Sequence, residues 1–314
     1  MVSVTVSQAR RVPVVPKGFP ITVEIPDKTA ESATVADVKA AVAAKFPIFY
    51  VERQAYTVKG EKKTLADETT LNAAGIAEGG ELVVKDLGPQ IGWQTVFLIE
   101  YVGPLIVHPL IYHFPSVFYG GSVQHSLLQK YVYIMVLLHF VKRELETLFV
   151  HRFSHGTMPL YGVFRNSFHY HVLGGLGLAY SVYSPTFSAT SPYIRGTIRN
   201  NPTFLWSWIA IWAFAEISNW RTHVILRNLR PAGTKVRKIP YGYGFDLVSC
   251  PNYAFEILGW TVISVMTNSY ASHVFLIAAV YIEVVWALKK HRNYKKEFGT
   301  AYPKGRKAIF PFII

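Results

Sequence analysis

From residue 91 onward the chain returns again and again to apolar stretches long enough to cross a bilayer, and that repetition leaves few folds open to it. Residues 91–114 are interrupted only by a few polar groups and would reach about 36 Å as a helix rising 1.5 Å per residue. Comparable stretches are expected at about 127–150, 160–183 and 203–225. A final pair, about 17 residues each, falls within 253–288 and turns near Thr267, Asn268 and Ser269. A mean hydropathy of +0.22, with only 16% charged residues, agrees with long apolar segments and excludes a simple cytosolic enzyme.

Charge then orients these stretches. Of 32 Lys+Arg and 19 Asp+Glu, residues 1–86 hold 11 of each, leaving 21 basic and 8 acidic residues beyond, together with all seven Trp and all 11 His. Residues 221–238 carry six Lys+Arg and no acid, and residues 289–307 carry eight against one Glu, so both loops should be cytoplasmic. Four stretches precede the first loop and two separate it from the second. That parity predicts six spans with both termini in the cytosol. Basic flanks suit anionic lipid headgroups or an anionic ligand, so membrane lipid is an expected partner and nucleic acid is not. One cysteine excludes a disulfide framework. The first residues lack the order of a cleaved signal peptide, so the first apolar stretch is expected to direct insertion.

Residues 1–86 read differently. Val2, Val4 and Val6, then Ile21, Val23 and Ile25, alternate around a Pro/Gly/basic stretch as a β-hairpin does. Thr34 is a fair N-cap for a helix over 35–46, with Val35, Val38, Val42 and Phe46 on one face and Pro47 to stop it. Strands are expected near 54–58 and 81–84. This order, with the run TLADETTL at 64–71, Gly75-Ile76 and Gly79-Gly80-Glu81-Leu82, resembles a ubiquitin-like β-grasp domain. Gly79-Gly80 is no conjugation tail, because a strand follows it. A docking or spacing module is the plain reading.

Ionisable groups inside apolar stretches are costly, which makes each a candidate. Glu100 lies about 14 Å along the first stretch. Glu216, Asn219, His223, Arg227 and Arg230 fall within an arc of about 80° at 100° per residue, a polar stripe suited to phosphate, while Arg221 points elsewhere. Lys142, Arg143, Glu144, Glu146, His151 and Arg152 close the second stretch, where mixed charges ordinarily form a solvated face. The glycines at 174, 175 and 177 lack the βαβ context of a dinucleotide loop and suit close helix packing. The pairs His151/His155 and His169/His171 lack a carboxylate or Cys framework, so no metal is expected.

The decisive motifs are residues 238–256 (KIPYGYGFDLVSCPNYAFE), 291–298 (HRNYKKEF), 302–312 (YPKGRKAIFPF) and 225–230 (ILRNLR). Together they resemble the membrane-embedded steroid 5α-reductase family. The preceding β-grasp domain and the joint KDLGPQIGW at 85–93 make the very-long-chain trans-2-enoyl-CoA reductase branch the closer match, over essentially the whole chain. The resemblance implies a β-grasp domain at 1–86 and a catalytic helical membrane domain at 87–314. It also implies NADPH-dependent reduction of the trans-2 double bond of a very-long-chain enoyl-CoA, as the last step of fatty acid elongation in the endoplasmic reticulum membrane. Other elongation enzymes would then be partners.

By the same resemblance Asn219, Arg230, Asn252, Glu256, His291 and Tyr294 hold the dinucleotide, and His223 stands where the steroid branch has an aspartate. Arg143 and Arg152 match basic positions that approach the cofactor phosphates, and Glu100 matches an acid near the substrate carbonyl. The tyrosine that assists this acid in the steroid branch is replaced by Phe140. In the enoyl-CoA branch the candidates at the carbonyl are a tyrosine and a lysine, at the positions of Tyr253 and Lys142. The chemistry suits such a pair: hydride addition at C3 of an enoyl thioester puts negative charge on the thioester oxygen, and a proton must reach C2. Three other readings compete. A 3-oxo-5α-steroid 4-dehydrogenase would share the cofactor site, a carboxyl methyltransferase would need S-adenosylmethionine, and a membrane scaffold would leave Glu100 and the polar stripe without a use.

Overall fold

Strand alternation in the first residues becomes a four-stranded sheet in the computed structural model, which describes residues 1–15, 18–153, 156–231, 234 and 237–314. β1 (Val2–Gln8) pairs antiparallel with β2 (Ile21–Ile25) in the register Val4 to Val23. α1 (Val35–Lys45) and β3 (Gln54–Val58) follow, and β4 (Glu81–Asp86) runs parallel to β1, giving the order β2-β1-β4-β3. Thr34 caps α1 reciprocally: its hydroxyl accepts from the Asp37 amide and Asp37 Oδ2 accepts from the Thr34 amide at 2.8 Å. Val4, Val6, Val38, Val42, Leu71 and Leu82 fill the core between helix and sheet with no exposure. The β-grasp reading holds on this topology.

Two compact units result, Met1–Gly92 with Thr157–Tyr161, and Trp93–Gly156 with Gly162–Ile314. The first of these takes in more chain than its sheet. β5 (Gln90–Gly92) pairs with β6 (Thr157–Pro159) in the register Ile91 to Met158, so the first apolar stretch begins its helix at Trp93 rather than at residue 91.

The second unit is helical. α2 (Trp93–His113) is followed by the short α3 (Pro115–Tyr119) and by α4 (Leu127–Phe149), which opens on a Ser126/Gln129 capping box. α5 (Gly162–Ser167), a wide-turned segment over Phe168–Gly177 and α6 (Leu178–Val182) form one helical run. α7 (Pro202–Leu229) starts from the Asn201 cap with Pro202 in its first position, and α8 (Pro251–Thr267) likewise opens on Pro251. Asn268, at φ 50°, ends α8 in the left-handed region, and Ser269 caps α9 (Tyr270–Phe298). Helices therefore occupy the expected positions, including the turn at 267–269. The last of them is much longer than expected, because the basic stretch after residue 288 carries on the same helix.

Among the described residues two helices, Trp93–His113 and Tyr270–Ala301, are long and apolar enough to cross a membrane. The six spans expected are not all of this kind, and the reasons are local. α4 carries Lys142, Arg143, Glu144 and Glu146 near its end, α7 carries Glu216 and Arg221, α8 has 17 residues, and the 162–182 run changes helical pitch. The glycines at 174, 175 and 177 lie inside that run, and a Cβ on Gly174 would meet the Phe275 ring at 2.9 Å. A Cβ on Gly103 of α2 would collide with the His171 ring. Small residues here let helices approach, as expected.

Candidate active site

Four helices of the second unit turn polar side chains toward one another where lipid-facing helices would carry apolar ones. On α4, Arg143 donates to Glu146 Oε2 at 3.1 Å and to the Tyr101 hydroxyl of α2 at 2.6 Å. The other Glu146 oxygen lies 3.0 Å from Nδ1 of His223 on α7. One turn earlier on each helix, Lys142 reaches Glu216 at 2.7 Å and donates to Asn219 Oδ1 at 2.6 Å, while His139 bonds the second Glu216 oxygen at 2.9 Å. Asn219 in turn donates to the Asn252 carbonyl at 2.8 Å and faces Glu256 at 3.4 Å, which ties α7 to the start of α8. Gly259 lets α8 pass close to Glu216, since a Cβ there would stand 3.2 Å from its carboxylate. Each charge in this network has a partner, as burial of charge demands.

Above this network lies a cavity of about 380 Å³ wholly within the helical unit. Of the candidates read from the sequence, Arg143, Arg152, His223, Arg227, Arg230, Asn252, Tyr253, Glu256 and Tyr294 all line it. Four do not. Lys142 and Asn219 belong to the network beneath, Glu100 is buried on α2 with one carboxylate oxygen unbonded, and His291 turns to Ser249 at 2.6 Å and to the Tyr302 ring. Phe140 is buried against the rings of Tyr101 and Trp260.

The stripe on α7 needs one correction. The helix ends at Leu229, and Arg230 is its extended cap residue, so the angular argument does not carry it to the site. Instead Arg230 and Arg152 exchange hydrogen bonds with each other's backbone carbonyl and reach the cavity together. Arg221 points away, over the Tyr243 ring at 4.5 Å.

His151 also finds a neighbour the spacing did not suggest. His155 lies outside the described residues, but the ligand atoms of Glu146, His151 and His223 lie within 4.8 Å of one another. Both Glu146 oxygens are already engaged, one by a histidine and one by a guanidinium, and that fixed positive charge opposes a cation. Burial and then the Arg143 charge push the His151 imidazole down to about 2, so it stays neutral at the cavity wall.

Several lining residues were not singled out from sequence: Tyr101, Tyr170, Arg237, Lys238, Glu283, Trp286 and Lys290. A signal existed for those on α9. Glu283, Trp286, Lys290 and Tyr294 fall within an arc of about 80° at helical pitch, and Glu283 is an acid inside an apolar stretch, as Glu100 is.

Comparison with known proteins places the chain in a family. The family described as 3-oxo-5-alpha-steroid 4-dehydrogenase matches residues 156–314, and the domain described as TECR, ubiquitin-like domain, matches residues 22–86. An enoyl reductase of Schizosaccharomyces pombe is 48% identical over 84% of this chain and 86% of its own length. A very-long-chain enoyl-CoA reductase of Dictyostelium discoideum is 37% identical over 91% and 94%, and one of Caenorhabditis elegans 39% over 90% and 92%. With its ubiquitin-like sheet, its helical unit and its two strongly apolar helices, the chain belongs to the steroid 5α-reductase family, in the branch of the very-long-chain enoyl-CoA reductases.

Proposed function

We propose that the protein is an NADPH-dependent reductase of the trans-2 double bond of very-long-chain enoyl-CoA, completing the elongation cycle in the endoplasmic reticulum membrane. The observation that carries this reading is one cavity in which arginines from the ends of α4 and α7 meet the amide, carboxylate and phenol that open α8. The donor set suits a phosphorylated dinucleotide. Arg152, Arg227 and Arg230 offer bidentate donors for phosphate, and the buried Asn252 Oδ1 and Arg143 Nε have no hydrogen-bond partner of their own. In this reading Arg143, Arg152, His223, Arg227, Arg230, Asn252, Glu256 and Tyr294 hold the cofactor, Asn219 steadies Asn252 and Glu256, and His291 braces the tail through Ser249.

When bound, reduced nicotinamide supplies the hydride that reaches C3 of the enoyl thioester. The protein's part is to orient the thioester, stabilise the charge that develops on its oxygen and deliver a proton to C2. Tyr253 is the donor of that proton. Glu100 and Lys142 act from outside the cavity, Lys142 by fixing Glu216 and Asn219 beneath it. Tyr253→Phe keeps the ring and should remove at least about 100-fold of kcat while leaving NADPH binding nearly intact. The assay is NADPH oxidation by detergent-purified protein with a long-chain trans-2-enoyl-CoA, beside a 3-oxo-Δ4-steroid as competing substrate. Near-normal turnover of the variant would move the acid to Glu100, and reduction of the steroid alone would overturn the substrate.

The helical unit is read as crossing the membrane six times, with both termini cytosolic. Exposed apolar rows support this even on helices that carry charge inside: Ile134, Leu138, Val141 and Leu145 on α4, and Ile211, Phe214 and Ile217 on α7. Glycosylation acceptors engineered into residues 115–124 and 184–200 should be modified. Modification of acceptors within 231–237 would refute the topology. Elongation enzymes in the same membrane are the expected partners.

A further inference from the structure

The lysine expected beside the catalytic tyrosine is committed elsewhere: Lys142 spends its ammonium on Glu216 at 2.7 Å and Asn219 at 2.6 Å, below the cavity. A different cation stands by Tyr253. Lys290 Nζ lies 5.2 Å from the centroid of the Tyr253 ring, and both residues line the same cavity. The geometry has simple causes. Pro251 in the first position of α8 puts Tyr253 in its opening turn, and α9 continues past its apolar portion far enough for Lys290 to come level with it. Trp286, one turn before Lys290, packs on the same tyrosine with ring centroids 6.3 Å apart. Tyr253 is thus met by an indole and an ammonium from a single face of α9.

We infer that Lys290, rather than Lys142, is the cation that poises and positions Tyr253 for proton delivery in the reduction. The inference rests on the function proposed above. In the step it concerns, two electrons and a hydrogen arrive at C3 from the reduced nicotinamide, and the electron pair of the double bond passes to C2 and the thioester oxygen. The O–H bond of Tyr253 breaks as a C–H bond forms at C2. The phenolate left behind is stabilised by the Lys290 ammonium until water returns the proton.

Other charges share this wall and must be weighed. Cys250 and Glu256 flank Tyr253 on its own element, and Glu283, with one oxygen lacking a hydrogen-bond partner, and Tyr294 face the cavity from α9. Arg143 of α4 is 3.9 Å from Glu256, and Arg237 is paired with Glu297 at 3.1 Å. Both of these cations have a carboxylate partner, and although Arg152, Arg227, Arg230 and Lys238 also line the cavity, Lys290 is the ammonium set against the tyrosine ring.

The test compares Lys290→Met with Lys142→Met in full-length protein in detergent, assayed by NADPH oxidation with a long-chain trans-2-enoyl-CoA from neutral to alkaline pH. Lys290→Met should lower kcat about tenfold or more, leave the KM for NADPH within about twofold, and move the alkaline limb of kcat to higher pH. The sign follows because an adjacent ammonium favours the ionised phenol, so its loss keeps the phenol protonated to higher pH. Lys290→Arg should bring the limb back toward its original position. Lys142→Met should lower activity through Asn219 without displacing the limb. An unmoved limb in Lys290→Met, an equal displacement in Lys142→Met, or a loss confined to the KM for NADPH would overturn the assignment, the last making Lys290 a cofactor ligand. Should Lys290→Met fail to fold, Lys290→Gln makes the same comparison. Wild-type protein inactive on every enoyl-CoA would instead sink the proposed function, and this inference with it.

Discussion

In the β-grasp unit the side chains driven to zero exposure are apolar, Val4, Leu71 and Leu82 among them, and the cations that approach burial, Lys39 and Arg53, are paired with Asp67 and Asp86 in reach of solvent. The helical unit has an apolar core of its own, but it also buries Glu146, Asn219 and His223 and leaves Ile106, Leu138 and Phe214 exposed. The same side-chain chemistry has met two solvents. Water expels apolar surface, so the first unit is held by burial of valines and leucines. A bilayer offers apolar groups no such penalty, so the second can turn leucines outward and set paired charges and a polar cavity beside its apolar core. Burying those charges costs stability, and their position around the cavity is what makes it the candidate site.

Substitutions can break or sharpen this contrast. The largest effect is expected from Glu146→Ala, which strips Arg143 and His223 of their shared carboxylate and should cost about 3–5 kcal/mol, seen as a fall in apparent Tm in detergent together with loss of turnover. Glu146→Gln, which keeps the shape and one acceptor, should lose less. Next comes Leu82→Ala in the β-grasp core, at about 2–5 kcal/mol for a fully buried leucine, read by hydrogen exchange in residues 1–86 of the full chain. Turnover should fall far less than with Glu146→Ala; comparable losses would mean that the sheet's stability and the cavity's chemistry are not separable. The smallest is Arg230→Ala. One charge-assisted contact is worth about 1.5–3 kcal/mol, so the KM for NADPH should rise about tenfold or more. Arg221→Ala, whose guanidinium lies over Tyr243, should change it less than about twofold, and equal effects would reduce the stripe to a headgroup contact.

Much of this contrast was legible in residue order. The Thr34 cap, the alternating valines of β1 and the turn at Asn268 are local events, set by neighbours a few residues away, and they fall where the pattern puts them. The α7 stripe was legible as far as Arg227, because helical pitch fixes which side chains share a face; Arg230 escaped because the helix stops one residue before it. Ile91 and Gly92 were misread as helix for another reason. Their strand exists only by pairing with residues 157–159, some 65 residues on, which no local pattern announces.

Composition, charge order and motif alone determined that this chain joins a ubiquitin-like sheet to an apolar helical unit and which residues are candidates for its site. Which of them meet was decided only by tertiary structure. Lys142 and Lys290 are both lysines at the polar ends of apolar helices, and their local sequence does not say which of them reaches Tyr253. The packing of α4 on α7 turns the first into Glu216 and Asn219, and the extra length of α9 brings the second beside Tyr253. Direction along a helix is a local property, but the partner a charge reaches depends on how helices cross, and that is settled by contacts between residues more than 70 positions apart for Lys142 and 37 for Lys290.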